Sequence, residues 1–174
     1  TLVRLISGAE MPTSGTVERS MSVSWPLAFF AGFQGTLTGY DNLRLVCRIY
    51  GVDFKSRVPF VQEFSELGKY LKEPVKTYSA GMRSRLAFAI SMSIEFDCFL
   101  IDEITAVGDS RFHEKCNYEL FGKRHDRAMI MVSHQPEFIR EHCDHAAVLV
   151  AGKLHKFDQI DESMQFYHYH LTSV

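Results

Sequence analysis

The sequence lacks four features that would assign it to well-known classes of protein. No run of apolar residues approaches the roughly 20 that a membrane-spanning helix needs, and no secretory signal pattern is present. There is no C-x-x-C pair: the four cysteines are widely spaced, as is typical of reduced, mostly buried thiols in a cytosolic protein. Basic charge is not in excess, and the formal net charge of −2 argues against a nucleic-acid binder with a broad basic face. Any role at a membrane must therefore come through a partner.

The residues that are present fit one globular domain of ordinary size. The chain has 174 residues, of which 46% are hydrophobic and 23% charged, enough to bury a sizeable core. Its first residue is Thr1 rather than a start methionine, and residues 1–6 have the pattern of a helix already under way. We therefore expect the chain to be truncated at its N-terminus.

The spacing of apolar residues predicts an α/β protein with a helical region inserted into it. Residues 1–6 form a first helix that ends at Gly8, and residues 16–18 form a short strand. The apolar period is then helical, with three successive helices and no strand between them. The α/β core therefore comprises residues 1–37 and 96–174 of the single domain, and the helical subdomain comprises residues 38–95.

A β-α-β unit follows the helical region. Its strands, at 98–101 and 129–132, flank a helix at 111–123 and are predicted to be parallel and buried on both faces. The rest of the chain is predicted to form a short helix, a hairpin and a terminal helix, at 136–139, 146–157 and 161–170. The sequence therefore predicts a mostly parallel sheet.

Polar residues follow both parallel strands, at the sheet edge where open α/β sheets bind ligands. Asp102 and Glu103 come after the first strand, and Ser133 and His134 come after the second. Asp102 suits coordination of a hard cation such as Mg²⁺, Glu103 can orient or activate a water, and His134 can hydrogen-bond a phosphate oxygen. The alternative for the carboxylates is an ordinary helix start with acidic capping residues.

A turn of small residues at Ser79, Ala80 and Gly81 opens the third helix of the helical region. Backbone N–H groups at such a helix start can receive an anion. Arg83 and Arg85 lie near this helix start, where the helix dipole disfavours positive charge, and a bound anion would reverse that cost. The alternative is that both arginines extend into solvent or pair with acidic neighbours.

Two other groups of residues are weak signals by themselves. Gln34 lies among glycines in a loop, and taken alone this pattern favours an ordinary solvated loop residue. The run from His142 to His145 contains metal-ligand types, but four consecutive residues rarely converge on one ion. We interpret that run as the end of a surface helix.

These residues together resemble the nucleotide-binding ATPase subunit of ABC transporters, specifically of those that export capsular polysaccharide. Residues 78–82, Tyr-Ser-Ala-Gly-Met, are similar to the signature loop in its polysaccharide-exporter form, and residues 99–103 are similar to Walker B with its following glutamate. Residues 105–109 resemble the family's D-loop, and residues 133–134 resemble its switch histidine. Residues 33–35 resemble its Q-loop. Five motifs in the family's order cover essentially the whole chain, so the match is specific.

The resemblance implies a P-loop-NTPase-type ABC ATPase domain that binds ATP and Mg²⁺ in a homodimer of ATPase subunits. Ser79, Ala80 and Gly81 would contact the ATP that the partner subunit holds. Asp102 would hold Mg²⁺, a site to which Gln34 would also contribute.

The remaining roles that the resemblance implies concern hydrolysis and coupling. Glu103 would act on the attacking water, and His134 would contact the γ-phosphate. Asp109 would link the two composite sites, and Gln34 would couple the nucleotide to a transmembrane permease. The protein would be peripheral on the cytoplasmic face of the bacterial inner membrane, without direct membrane insertion and without nucleic acid.

The sequence departs from the family in several places. Ala80, Met82 and Ile104 differ from the commonest family residues, although the first two fit the exporter subgroup. No G-x-x-x-x-G-K-[ST] phosphate loop appears. Because the family's loop ends Gly-Lys-Ser-Thr-Leu, Thr1 and Leu2 resemble its last residues, and Thr1 would belong to the ATP site. We expect the chain as given to bind ATP poorly and not to hydrolyse it.

Three other functions remain to be weighed against capsule export. The exported glycan could be another one, such as O-antigen or teichoic acid. A non-catalytic interaction module with this fold is favoured if the natural chain begins at Thr1. An ATPase of the DNA-repair type would need a long coiled-coil insertion, and residues 36–77 leave room only for short helices.

Overall fold

The computed structural model describes residues 1–27, 33–102 and 110–172. The chain divides into two compact units, Thr1–Ile130 and Met131–Val174. The α-helices are α1 (Leu2–Ser7), α2 (Gly39–Ile49), α3 (Phe54–Ser65), α4 (Ala80–Met92), α5 (Ser110–Asn117), α6 (Pro136–His142) and α7 (Ile160–Thr172). The strands are β1 (Val23–Pro26), β2 (Cys98–Asp102), β3 (Ala128–Val132), β4 (Ala146–Val150) and β5 (Lys153–Phe157). Among the described helices, none has the length and apolar content to span a bilayer.

Helix α1 ends where the sequence predicts, at Gly8. This glycine has a φ of 81°, and its N–H donates to the Leu5 carbonyl at 3.2 Å. Arg19 closes the same helix end, because its guanidinium donates to the carbonyls of Leu5 and Ile6, each at 2.6 Å. The strand predicted at 16–18 is wrong: these residues are exposed and pair with no described strand.

Strands β1 and β2 are parallel, with Val23 opposite Cys98 and Pro26 opposite Leu100. Their starts are joined by Ser22 and Asp97. The Asp97 carboxylate accepts from the Ser22 hydroxyl at 2.7 Å and from the Ser22 N–H at 3.0 Å. These hydrogen bonds lower the pKa of Asp97. The pair fixes the register in which β2 carries Asp102 to the sheet edge.

Strand β2 lies between β1 and β3 in the sheet. The first four residues of β2 are buried and Asp102 is exposed, as predicted for a central strand. Strand β3 differs from the prediction, because its residues alternate between exposed and half-buried. As the last strand of the described sheet, β3 has a neighbour on one edge only. The sequence therefore predicts the strand correctly but not its burial.

The helical region contains α2, α3 and α4, as the sequence predicts. Two short 3₁₀ turns, Gly68–Lys72 and Val75–Thr77, connect α3 to α4. Helix α3 ends at Ser65, because Glu66 takes a left-handed conformation with a φ of 56°. Tyr78, which follows the second turn, is extended and leads into Ser79, the N-cap of α4.

Helix α4 forms the centre of this region. Every residue of α4 from Leu86 to Met92 is buried, so this part of the helix is enclosed on all its faces. Helices α2 and α3 both pack against α4. Burial on all sides gives a rigid support to the polar turn at the start of α4.

Helix α5 continues into a π-helical turn, Tyr118–Gly122, which completes the predicted helix to within one residue. Arg124 follows this turn and is buried. Its guanidinium donates to Glu119 Oε1 at 2.7 Å and to the Met92 carbonyl at 2.8 Å. Arg124 therefore joins the π turn to the C-terminal end of α4.

The second unit contains the predicted hairpin, with the predicted bounds. Strands β4 and β5 are antiparallel, and the residues between them, Ala151 and Gly152, both have positive φ. Helix α7 packs against the hairpin, where the Phe166 ring contacts His155 and Phe157. Helix α6 begins with Pro136 at its first turn, as predicted.

The cysteines are free thiols, and Cys47, Cys98 and Cys116 are buried while Cys143 is half-buried. Burial raises the pKa of the Cys116 thiol to about 12. A thiol of this kind is structural rather than reactive, in agreement with the prediction of mostly buried, reduced cysteines.

Candidate functional site

Ser79 is the N-cap of α4, which is the position that the sequence predicts. Its φ and ψ are −64° and 166°, and its Oγ accepts from the Met82 N–H at 3.2 Å. The N–H groups of Ala80 and Gly81 lie in the first helical turn, where no carbonyl one turn earlier can pair with them. Ser79 and Ala80 are exposed and Gly81 is half-buried. The turn therefore offers a hydroxyl and two backbone donors to an anion.

The space above this turn is open. Among the described residues, a Cβ built on Gly81 would meet only the Ser79 Oγ, at 4.0 Å. The first turn of α4 contains no acidic residue that would neutralise the positive end of the helix dipole. The residues present therefore fit a phosphate group, because a multiply charged anion can approach both N–H groups directly.

Both arginines near the start of α4 have protein partners. Arg83 Nη1 donates to the Tyr78 carbonyl at 2.7 Å. Arg85 Nη1 lies 3.1 Å from Glu66 Oε2, and its guanidinium lies 4.7 Å from the centre of the Phe112 ring. Pairing with an acidic neighbour, the alternative interpretation, is therefore confirmed for Arg85. A bound anion is not needed to explain either residue.

Tyr78 anchors the chain immediately before the turn. It is 3% exposed, and its hydroxyl donates to the Tyr70 carbonyl. Burial raises the pKa of Tyr78 to about 12, so the hydroxyl keeps its proton. The ring ends against Gly39, where an added Cβ would lie 2.8 Å from the Tyr78 hydroxyl oxygen. The start of α2 and the chain before Ser79 are therefore in close contact.

The loop that contains Gln34 is hydrogen-bonded to the same segment. The Lys76 N–H donates to the Gly35 carbonyl at 2.8 Å, and the Val75 N–H donates to the Leu37 carbonyl at 2.9 Å. The Gln34 residue is exposed. The structure thus brings the Gln34 loop alongside the chain that leads into Ser79, a contact between residues about 40 apart that the sequence did not predict.

Asn42 is a candidate residue that the sequence analysis missed. It is 1% exposed and hydrogen-bonds both backbone groups of Gln34. The sequence did contain a signal for it. Asn42 lies four residues before Val46, which places a polar side chain on the apolar face of α2. Buried polar residues of this kind are expected to have specific partners.

Asp102 is the exposed last residue of β2. Its carboxylate forms no ion pair with any described residue. A single exposed carboxylate suits a hard cation that completes its coordination with water and phosphate oxygens. Within the described residues there is no group of three potential ligand side chains. Glu103 and Asp109, which the sequence predicts to act nearby, lie outside the described residues.

Ser133 and His134 follow β3, as predicted, and His134 is exposed. The Ser133 Oγ accepts from the Gln135 N–H at 3.0 Å, which shapes the turn before α6. Thr1 is the exposed N-cap of α1, and its carbonyl accepts from the Leu5 N–H at 3.1 Å. Each of these residues lies at the end of an element with its side chain near solvent.

Comparison with known proteins gives close matches over nearly the whole chain, although no family model matches. The chain is 62% identical over 167 residues to the ATP-binding protein BexA of Haemophilus influenzae, covering 96% of the chain and 77% of that protein. It is 58% identical, with the same coverage, to the capsule polysaccharide export ATP-binding protein CtrD of Neisseria meningitidis serogroup B. Among solved structures, an ATP-binding subunit of an ABC transporter matches with a TM-score of 0.70 at 18% identity, covering 95% of the chain and 76% of that structure.

Proposed function

Because the chain belongs to the family of ATP-binding subunits of polysaccharide-export ABC transporters, we propose that it is the ATPase subunit that energises export of a capsular polysaccharide across the inner membrane. The predicted family and the predicted ABC ATPase fold class are confirmed. The observation that carries the proposal is the match over nearly the whole chain to a capsule polysaccharide export ATP-binding protein. That identity favours capsular polysaccharide over the other glycans.

The signature turn serves ATP across a homodimer in this proposal. Bound ATP supplies the phosphoryl group whose transfer to water releases the free energy for transport. Ser79, Ala80 and Gly81 of one copy donate hydrogen bonds to phosphate oxygens of the ATP held by the other copy. The open space above Gly81 and the two first-turn N–H groups support this role. Thr1 contributes to the ATP site of its own copy.

Asp102 and Gln34 hold Mg²⁺ in this proposal, and the exposure of both residues supports it. Glu103 orients the attacking water and accepts its proton, and His134 donates a hydrogen bond to a terminal phosphate oxygen. Asp109 links the two composite sites. Phosphoryl transfer is catalysed mainly by positioning and charge stabilisation. Small displacements of these groups are therefore enough to turn ATP hydrolysis on or off.

Coupling to transport is assigned to the helical subdomain, residues 38–95, and to the Gln34 loop. Both contact a transmembrane permease in this proposal, so the protein is peripheral at the cytoplasmic face of the inner membrane and does not insert into it. No nucleic acid is involved. The hydrogen bonds from Val75 and Lys76 to the Gln34 loop support this assignment, because they connect that loop to the chain before Ser79.

The hydrolytic role of Glu103 is tested with Glu103→Gln in the exporter purified with its permease. We expect ATP turnover to be nearly abolished and ATP binding to be retained, because glutamine cannot accept the proton of water. Glu114→Gln, an exposed position on α5, is the matched control and should turn over normally. Normal turnover in Glu103→Gln would contradict the assigned role.

The role of the signature turn is tested with Ser79→Arg. A bulky cation at the N-cap should block the ATP-dependent dimer, as measured by light scattering with and without ATP. Ser56→Arg places the same side chain in the first turn of α3 and should leave the dimer intact. A dimer that forms equally well in both variants would remove the assignment of Ser79.

A further inference from the structure

Asn42 is a buried side chain whose hydrogen bonds all go to one loop. Its Oδ1 accepts from the Gln34 N–H at 2.9 Å. Its Nδ2 donates to the Gln34 carbonyl at 3.2 Å, to the Thr38 carbonyl at 2.9 Å and to the Leu37 carbonyl at 3.4 Å. A carboxamide has two N–H donors and one acceptor oxygen, so both of its ends are in use. One side chain therefore holds both backbone polar groups of Gln34, as a neighbouring strand would.

The opposite side of the same loop is held by the chain that leads into Ser79. Gly35 and Leu37 accept backbone hydrogen bonds from Lys76 and Val75, and Thr38 forms a β-bridge with Pro74. The loop is therefore fixed between the first turn of α2 and the segment 74–76. Because Asn42 is buried on α2, it gives the loop a rigid attachment to the helical region.

The side chain of Gln34 takes no part in this arrangement. Only its N–H and carbonyl bind Asn42, and the residue is exposed. The backbone of Gln34 is fixed while its carboxamide stays available to a ligand. This is the arrangement that a residue with a contact function requires, because ordering the backbone beforehand lowers the entropy cost of contact.

We propose that Asn42 is the positioning residue of the Gln34 loop, which it holds in register with the chain before Ser79. This inference rests on the proposed function of Gln34 in coupling. Without the Asn42 carboxamide, the loop loses three acceptor contacts and one donor contact on its α2 side. Displacement of Gln34 would then no longer be transmitted to Ser79.

Hydrogen exchange of backbone amides tests the structural part of the proposal. Asn42→Ala removes all four contacts, and Asn42→Asp keeps the size and the acceptor but, when ionised, has no donor for the Gln34 carbonyl. We expect exchange at Gln34, Val75 and Lys76 to accelerate about tenfold in Asn42→Ala while buried amides of α4 are unchanged. Asn42→Asp provides the same measurement should the alanine variant fail to fold.

The control for hydrogen exchange is Asn117→Asp on α5, a side chain that lies 3.5 Å from the His113 ring and has no recorded hydrogen bond to the Gln34 loop within the described part of the chain. It should leave exchange at the three amides unchanged. Unchanged exchange at Val75 and Lys76 in both Asn42 variants would overturn the proposal, because Asn42 would then not hold the loop against that segment.

A double-mutant cycle on ATP turnover in the purified exporter tests the functional part. Asn42→Asp should lower turnover, and it should lower it no further in a Gln34→Ala background, because it acts through Gln34. If the two substitutions reduce ATP turnover by independent factors in the double variant, Asn42 does not act through Gln34. That outcome overturns the proposed role of Asn42 but leaves the proposed role of Gln34 in place. Normal turnover in Gln34→Ala overturns the proposed coupling role of Gln34 and the functional part of this inference with it.

Discussion

Lys115 and Glu66 form an ion pair, with 3.0 Å between Nζ and Oε1, that joins helix α5 to the end of α3. The same ammonium donates to the carbonyls of Glu63 and Phe64 at 3.1 and 3.0 Å, so a cation lies at the C-terminal end of α3. Arg85 of α4 binds the other carboxylate oxygen of Glu66 at 3.1 Å. Glu66 therefore connects three helices through one carboxylate.

Glu66→Gln should destabilise the fold by about 1 kcal/mol at pH 7, since its ion pairs are partly exposed. The hydrogen bond from Lys115 holds the pKa of Glu66 below its usual value. Because the folded-state pKa is lowered, this contribution is present above the unfolded-state pKa and is lost as pH falls through the folded-state value. Urea unfolding should therefore show the difference at pH 7 and a smaller difference at about pH 3, which lies below the usual pKa of a glutamate carboxyl. A difference of equal size at both pH values would contradict the ionic origin.

Glu63→Gln is the matched control for this measurement. Its carboxylate is exposed, and Lys115 binds its backbone carbonyl rather than its side chain. It should change the free energy of unfolding by less than about 0.5 kcal/mol at either pH.

Local patterns in the sequence predict most of the helices and the hairpin. The apolar spacing of Leu43 and Cys47 predicts α2, and Gly152 between two apolar runs predicts the hairpin with the bounds that the structure has. Residues 79–81 are predicted as a helix start because they form a turn of small residues before an apolar helical run. In each case the stabilising contacts lie within a few residues along the chain.

Contacts between distant residues could not be predicted in the same way. The hydrogen bonds from Lys76 to Gly35, and from Asn42 to Gln34, depend on how α2 and the segment before α4 pack together. The exposure of β3 depends on which strands flank it rather than on its own apolar residues. The polar turn of the site was therefore predictable, and the support beneath it was not.

Gly39→Ala should destabilise the fold by about 1–3 kcal/mol, because a Cβ there would lie 2.8 Å from the Tyr78 hydroxyl oxygen and 3.0 Å from Leu71 Cδ2. Tyr78→Phe removes the nearer atom and should partly relieve this cost in the double variant, as measured by urea unfolding. Gly35→Ala is the control, since its Cβ would meet Lys76 Cβ at an ordinary 3.6 Å. Equal costs for Gly39→Ala and Gly35→Ala would show that close packing is not the cause.

Removal of one member of the buried Arg124–Glu119 pair should be costly. The Glu119 side chain is 6% exposed and that of Arg124 is 10% exposed. Burial opposes ionisation of Glu119, but hydrogen bonds from Arg124 and Lys123 lower its pKa. Glu119→Ala leaves a buried cation and should cost about 3–5 kcal/mol in urea unfolding.

The double variant Glu119→Ala, Arg124→Met should cost less than the sum of the two single changes, because no buried charge is left unpaired. Arg127→Met is the control, since the guanidinium of Arg127 is 38% exposed and lies 3.9 Å from Asp97. It should cost under about 1 kcal/mol. Strictly additive effects of the pair would argue against direct coupling.

Gly81→Ala should make the fold more stable and at the same time lower ATP turnover. The fold accommodates a Cβ at this helical position, because the Ser79 Oγ, at 4.0 Å, is the only described neighbour it would meet, so the free energy of unfolding should rise by about 0.4–1 kcal/mol. The same Cβ projects into the space through which a phosphate would reach the Gly81 N–H, so ATP turnover by the purified exporter should fall. Ser84→Ala, one turn along α4, should leave turnover unchanged. A more stable protein with undiminished turnover would mean that the phosphate does not approach the helix start at Gly81.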